Sequence, residues 1–262
     1  MNPLPSANPV TSTTNVWFVC TQTIPEVETR LFLFPYAGSG PALFRKWSAQ
    51  PLNHIEAWIA HYPGRGSRHS ESPVKQITTL AERLAQAIPQ LLDKPFALFG
   101  HSLGGLVAFE LVKYLRNNDL PQPTILFVSA CGAPHLRDPH PPIHALPDAE
   151  FIETLKEFNG IPSEFLHLPD VMELLLPVLR ADLEAIESYV YTPDELPLNC
   201  PIVAFGGLND PRVSRGRLEG WALHTDSSFK SQYFPGDHFF INTARESIMA
   251  FINAEIKALA PS

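Results

Sequence analysis

Short runs of consecutive apolar residues alternate along the chain with longer stretches in which apolar positions recur every three or four residues. The first pattern reads as buried strands and the second as amphipathic helices. "RLFLFPYAG" (30–38), "IEAWIAHYPG" (55–64), "PFALFG" (95–100), "PTILFVSACGAP" (123–134), "PIVAFGG" (201–207) and "FKSQYF" (229–234) predict strands. "LAERLAQAIPQLL" (80–92), "LGGLVAFELVKYLRNN" (103–118) and "TARESIMAFINAEIKAL" (243–259) predict helices. Apolar strands separated by helices imply an α/β class, a mainly parallel sheet covered on both faces.

One region breaks the alternation. Residues 135–192 open with a proline- and histidine-rich loop, "HLRDPHPPIHALP" (135–147), and continue as helical patterns at 148–158 and 171–190. Pro177 is expected to kink or break the second helix. Phe151, Leu155, Phe158, Leu174, Leu175 and Leu179 recur there at helical spacing. The segment reads as a helical lid inserted into a single domain spanning 1–262.

Composition narrows the class of function. A formal charge of −8 argues against nucleic acid as the main partner, because phosphate binding favours net positive charge. The first fifteen residues have neither a basic nor an apolar region of the kind a secretory signal needs. No apolar run approaches the roughly 18 residues of a membrane span. Cys20, Cys131 and Cys200 are far apart and form no CxxC pair. They therefore suggest neither a disulfide framework nor a metal site, but thiols in a reducing, cytoplasmic setting.

The chemistry enters at "FGHSLGG" (99–105), where a serine stands between two glycines just as a strand pattern turns into a helix pattern. G-x-S-x-G in that context is a nucleophile elbow: the serine needs strained backbone geometry, so its neighbours must be small. Ser102 is the candidate nucleophile. Such a serine needs a histidine base and a carboxylate to orient it, in the chain order Ser, acid, His. Asp210, in the loop of "PIVAFGGLNDP", is the candidate acid; Asp182 and Asp194 read as surface charge or helix capping. His238, in "YFPGDHFFIN" between the last strand and the last helix, is the candidate base. Asp237 is set aside because adjacent side chains rarely converge on one imidazole, and His101 is expected to point away from the site. The backbone amides of Ala37, in "FPYAGSG", and Leu103 are the candidate oxyanion donors. A triad of this kind serves esters, amides and thioesters alike. A general carboxylesterase or lipase, or a non-catalytic binding relative, would share much of the pattern.

Together "LFLFPYAGSG" with "FRKW", "YPGRGSR" (62–68), "GHSLGG", "LLPVLRADLEAIESY" (175–189), "FGGLND" and "FPGDHFF" make the chain resemble the stand-alone type II thioesterases of nonribosomal peptide and polyketide synthases, over roughly residues 15–255. The resemblance implies an α/β-hydrolase fold with a helical lid and no cofactor of its own. It also implies hydrolysis of acyl groups from the phosphopantetheine arm of carrier domains, to clear stalled or mis-primed assembly lines. Ser39 departs from the family, which usually has paired glycines in this loop. The chain's own Met1 makes a cyclising terminal domain the less expected relative, and a monomer is expected. Carrier domains are acidic, so docking calls for local positive charge. Arg212, Arg215 and Arg217 just past Asp210 are the candidates, with Arg65 and Arg68 a second pair in which Arg65 could instead be a buried ion-pair partner.

Overall fold

The computed structural model describes residues 15–20, 22–45, 47, 54–157, 159–161, 165–193 and 196–259. Seven strands form one sheet: β1 (Phe18–Cys20), β2 (Thr29–Phe34), β3 (Ile55–Ala60), β4 (Phe96–His101), β5 (Ile125–Ser129), β6 (Ile202–Gly207) and β7 (Phe229–Phe234). Their order is β1-β3-β2-β4-β5-β6-β7, and every neighbouring pair is parallel except β1 with β3. The six predicted strands are all present. β1 was not read from the sequence: three residues on an antiparallel edge are too short for a periodic signal. Parallel strands buried on both faces explain the unbroken apolar runs; β4, for instance, is buried at all six positions.

Helices α1 (Ile77–Ala87) and α2 (Leu103–Asn117) cover one face through Leu80, Leu84, Val107 and Leu111. On the other face, after the short α5 (Arg215–Glu219) and α6 (Phe240–Thr243), helix α7 (Arg245–Leu259) packs Ile248, Ile252 and Ile256 against β4, β5 and β6. α1 ends five residues before the predicted limit, because Pro89 opens a tighter 3₁₀ turn. The chain runs from β2 outward to β3 and then crosses back to β4 on the other side of β2. The carboxyl ends of β2 and β4 therefore part at a topological switch point, where open α/β sheets form their clefts.

Between β5 and β6 lie α3 (Asp148–Glu157) and α4 (Pro169–Glu187), as expected for the helical insertion. The expected break at Pro177 does not occur: α4 continues through it. Pro177 is exposed, while Val178, Leu179, Ala181 and Ala185 are buried, so packing of that stripe carries the helix past the missing N–H. Phe151, Leu155 and Leu179 are buried in a separate small apolar cluster with Met172 and Leu183, and Leu175 packs against it. Leu174 instead faces outward, and Phe158 and Asp194 lie outside the described residues.

The turn from β4 into α2 is a close backbone approach. A Cβ on Gly104 would stand 2.1 Å from the carbonyl oxygen of Phe34 in β2, and one on Gly100 only 2.0 Å from that of Gly104. Backbone atoms on both sides leave no room to give. Gly104→Ala is expected to lower the thermal midpoint by roughly 6–12 °C, corresponding to about 3 kcal/mol of strain. An unchanged midpoint in thermal unfolding would show that β2 and α2 are not pressed together.

Candidate active site

Ser102 follows the last residue of β4 and precedes the first of α2, with φ +53° and ψ −115°. That is a conformation L-residues avoid, and it is fixed from both directions. The Ser102 N–H donates to the Ser129 carbonyl at the end of β5 (2.7 Å), and the Gly105 N–H donates to the Ser102 carbonyl (2.9 Å). The result lifts the hydroxyl out of the strand end, where Ser102 lines a cavity of about 1070 Å³.

Asp210 and His238 converge because β6 and β7 are parallel neighbours whose loops keep pairing beyond the strands. Leu208 N–H donates to the Phe234 carbonyl (2.9 Å), and Asn209 N–H to that of Gly236 (3.0 Å). A side chain on Gly207 would come within 2.4 Å of the Asp237 carbonyl, so the two loops touch backbone to backbone. Ser102 Oγ then donates to His238 Nε2 at 3.1 Å, and His238 Nδ1 donates to Asp210 Oδ2 at 2.9 Å. Asp210 Oδ1 accepts the N–H groups of Arg212 (2.8 Å) and Val213 (3.1 Å). Burial pushes the Asp210 carboxyl up, but the His238 hydrogen bond and charge, with these two amides, outweigh it and hold the group below the usual carboxylate range. Asp237 turns the other way, accepting from Asn159 Nδ2 and from the Phe239 N–H.

The structure therefore brings Ser102, His238 and Asp210 together, and sets Ala37 and Leu103 beside Ser102 in the cavity wall. Leu103 is the first residue of α2, and first-turn amides have no partner within the helix. Ser39 closes its own loop: its hydroxyl and its N–H both donate to the Tyr36 carbonyl, at 2.7 and 3.1 Å. Among the described residues, no group of three or more His, Cys, Asp or Glu side chains is placed to hold a metal ion.

The arginines are less uniform than the sequence suggested. Arg215 is exposed, pairs with Glu219 and lies over the Tyr233 ring. Arg212 and Arg217 line the cavity instead, each with its guanidinium just under 4 Å from Asp138. Arg65 and Arg68 are buried and committed, Arg65 to Asp182 and Arg68 to Glu71, so this second pair offers no docking charge. Asp182 overturns the reading as surface charge: its side chain is 2% exposed. Its place on the buried stripe of α4, one turn after Val178 and Leu179, was the available signal.

His101 was expected to point away from the site, yet it supports it from beneath. Fully buried, it donates from Nε2 to the His238 carbonyl (2.9 Å) and so accepts at Nδ1 from the Ser129 hydroxyl (2.9 Å). Burial first, and then the charge of His238, lower its pKa to about 3.

With this geometry in place, the decisive observation is that residues 29–256 match the thioesterase domain family. The chain belongs to the thioesterase family. It is a serine-hydrolase thioesterase, an enzyme acting on thioester bonds, and the family resemblance and α/β-hydrolase fold read from the sequence are borne out. The gramicidin S biosynthesis protein GrsT of Aneurinibacillus migulanus is 39% identical over 251 residues, covering 95% of this chain and 98% of its own. LgrE of Brevibacillus parabrevis, named a linear gramicidin dehydrogenase, is 38% identical over 245 residues, covering 92% and 93%. Its name records another reaction, whereas the family matched by this chain is that of the thioesterases. The solved type II thioesterase BorB, from the borrelidin biosynthetic cluster, superposes with a TM-score of 0.84 at 30% identity, covering 94% of this chain and 98% of that one.

Buried histidines contribute to how the thioesterase responds to acid, His101 and His224 most strongly. Burial, with the charges of His135 and Lys113, lowers His224 to about 4, as burial lowers His101 to about 3. Both groups favour the folded state fully above their unfolded pKa of about 6.5, and that stability is lost as pH falls toward the folded values. The urea midpoint is expected to hold between pH 7 and 8, to fall below 6.5, and to fall less steeply in His224→Gln. A midpoint that rises on acidification, or an identical slope in the variant, would contradict this.

Proposed function

We propose that this thioesterase hydrolyses acyl or aminoacyl groups from the phosphopantetheine arm of carrier domains, removing aberrant or stalled intermediates from a nonribosomal peptide or polyketide assembly line. The observation that carries the chemistry is the aligned Ser102–His238–Asp210 chain of hydrogen bonds opening on a cavity of about 1070 Å³. The assembly-line setting is supported by relatives named for gramicidin S biosynthesis and the borrelidin cluster.

His238 Nε2 takes the Ser102 proton as Oγ attacks the thioester carbonyl, and Asp210 holds the imidazole in the tautomer that presents Nε2 and stabilises the imidazolium. The tetrahedral oxyanion is received by the amides of Ala37 and Leu103. The neighbouring Gly38 N–H is already committed to Asp182 (2.8 Å). Collapse breaks the C–S bond, and His238 returns the proton to the departing thiolate. Water, deprotonated by the same histidine, then releases the acid from Ser102. No cofactor enters these steps, since the arm belongs to the partner. The whole constellation comes from one chain, which suits a monomer, and three free thiols suit the cytoplasm.

The chain is read as one domain, with residues 135–192 as its lid: Gly132 to Pro142 and Tyr189 to Tyr191 line the cavity over Ser102. Ser102→Ala is expected to lose turnover of an acyl carrier protein by at least a thousandfold and to escape labelling by a fluorophosphonate that marks the wild type. Labelling of the variant at the wild-type rate would overturn the assignment. Faster turnover of the same acyl group on a simple alcohol than on the carrier would favour a general carboxylesterase.

For docking, the exposed Arg215 and, in the cavity wall, Arg212 and Arg217 are proposed to meet the acidic carrier and the phosphate of its arm. Arg212→Glu combined with Arg215→Glu is expected to raise KM for acyl carrier protein severalfold more than KM for a small acyl thioester, and to flatten its salt dependence. Equal losses on both substrates would assign these arginines to the catalytic loop alone.

A further inference from the structure

The triad makes no use of the most deeply buried ion pair near it. Arg65 Nη1 donates to Asp182 Oδ2 at 2.6 Å and Nη2 to Oδ1 at 2.8 Å, a two-pronged contact between the turn after β3 and helix α4. The side chains are 8% and 2% exposed. The same groups grip the loop after β2. Asp182 Oδ2 accepts the Gly38 N–H at 2.8 Å, and Arg65 Nη1 donates to the Ser39 carbonyl at 3.1 Å. Leu179, one turn earlier in α4, presses on this loop: a Cβ on Gly38 (φ +75°) would lie 2.4 Å from Leu179 Cδ2.

Two buried charges are a poor way to glue a helix down, because desolvation consumes most of their attraction and apolar side chains would serve as well. What charge adds is a short, directional bond from a carboxylate to a backbone N–H. Here that N–H belongs to the peptide immediately following Ala37. We propose that Asp182, held by Arg65, is a positioning residue: it orients the loop that presents the Ala37 amide to the oxyanion, and makes this part of α4 a fixed element of the catalytic frame. The inference rests on the reading of Ala37 and Leu103 as oxyanion donors. A donor aimed at charge that develops only in the transition state affects kcat and leaves KM alone.

The test replaces the pair as a unit, Arg65→Met with Asp182→Leu, so that no lone buried charge remains. The double variant is expected to fold with a thermal midpoint near that of the wild type. On a small acyl thioester, KM should stay within about twofold while kcat falls roughly 100-fold, the scale of one lost oxyanion donor. A boronic acid that forms a tetrahedral adduct with Ser102 should bind more weakly by a similar factor. A folded double variant whose kcat stays within about threefold, or whose kcat falls without weaker boronate binding, overturns the proposal. If the double variant does not fold, Arg65→Lys carries the test, since it keeps the charge balance but loses the fork. It is expected to lower kcat roughly tenfold at unchanged KM, and wild-type kcat in that variant overturns the proposal. A wild-type enzyme that turns over thioester but does not bind the boronate would overturn the oxyanion reading itself.

Discussion

The backbone at Ser102, φ +53° and ψ −115°, costs on the order of 1–3 kcal/mol, and the surrounding molecule leaves the chain no easier path. β4 enters the turn buried on both faces, α2 leaves it with Gly104 against the Phe34 carbonyl, and β5 takes the Ser102 N–H. Relaxing the serine would mean parting β2 from α2, which the glycines at 100 and 104 hold within van der Waals contact. The strain is thus stored by packing, and it is what places Oγ at the mouth of the cleft instead of in the sheet.

The other groups inherit their positions from the same sheet. Asp210 and His238 meet because adjacent parallel strands deliver their loops to one end and those loops continue the ladder for two more hydrogen bonds. His101, alternating with Ser102 at the end of β4, turns to the opposite face and holds the His238 carbonyl, so nucleophile and base are tied through neighbouring residues. Arg65 and Asp182 add a third tie, from α4 to the loop after β2. The cavity is therefore framed on one side by sheet ends and on the other by the insertion.

Much of this could be read in the sequence, for a physical reason. Strands buried on both faces write themselves as apolar runs; Ser102 and Asp210 sit just past the ends of two such runs, β4 and β6, and His238 follows the half-buried edge strand β7. Ser102, Asp210 and His238 could therefore be located by position as well as by residue type. The features that escaped are those without a local signature. β1 is three residues long. Continuity of α4 through Pro177 depends on what its buried stripe packs against, which no single residue announces. The partner of Asp182 is 117 residues away, and nothing along the chain says which arginine it meets. The arginines past Asp210 cluster in sequence but divide in space, because the start of α5 turns Arg215 to solvent while Arg212 and Arg217 face the cavity.

The central claim is that hydrolysis runs through an acyl group carried on Ser102. Mixing the enzyme with an acyl carrier protein, quenching within milliseconds in acid and weighing the intact protein tests it most directly. The account predicts a transient gain of one acyl mass, mapped by peptide fragmentation to the segment containing Ser102 and decaying as free acid appears. Release of the acid at the wild-type rate by Ser102→Ala, with no acylated enzyme detected in the wild type, would contradict it.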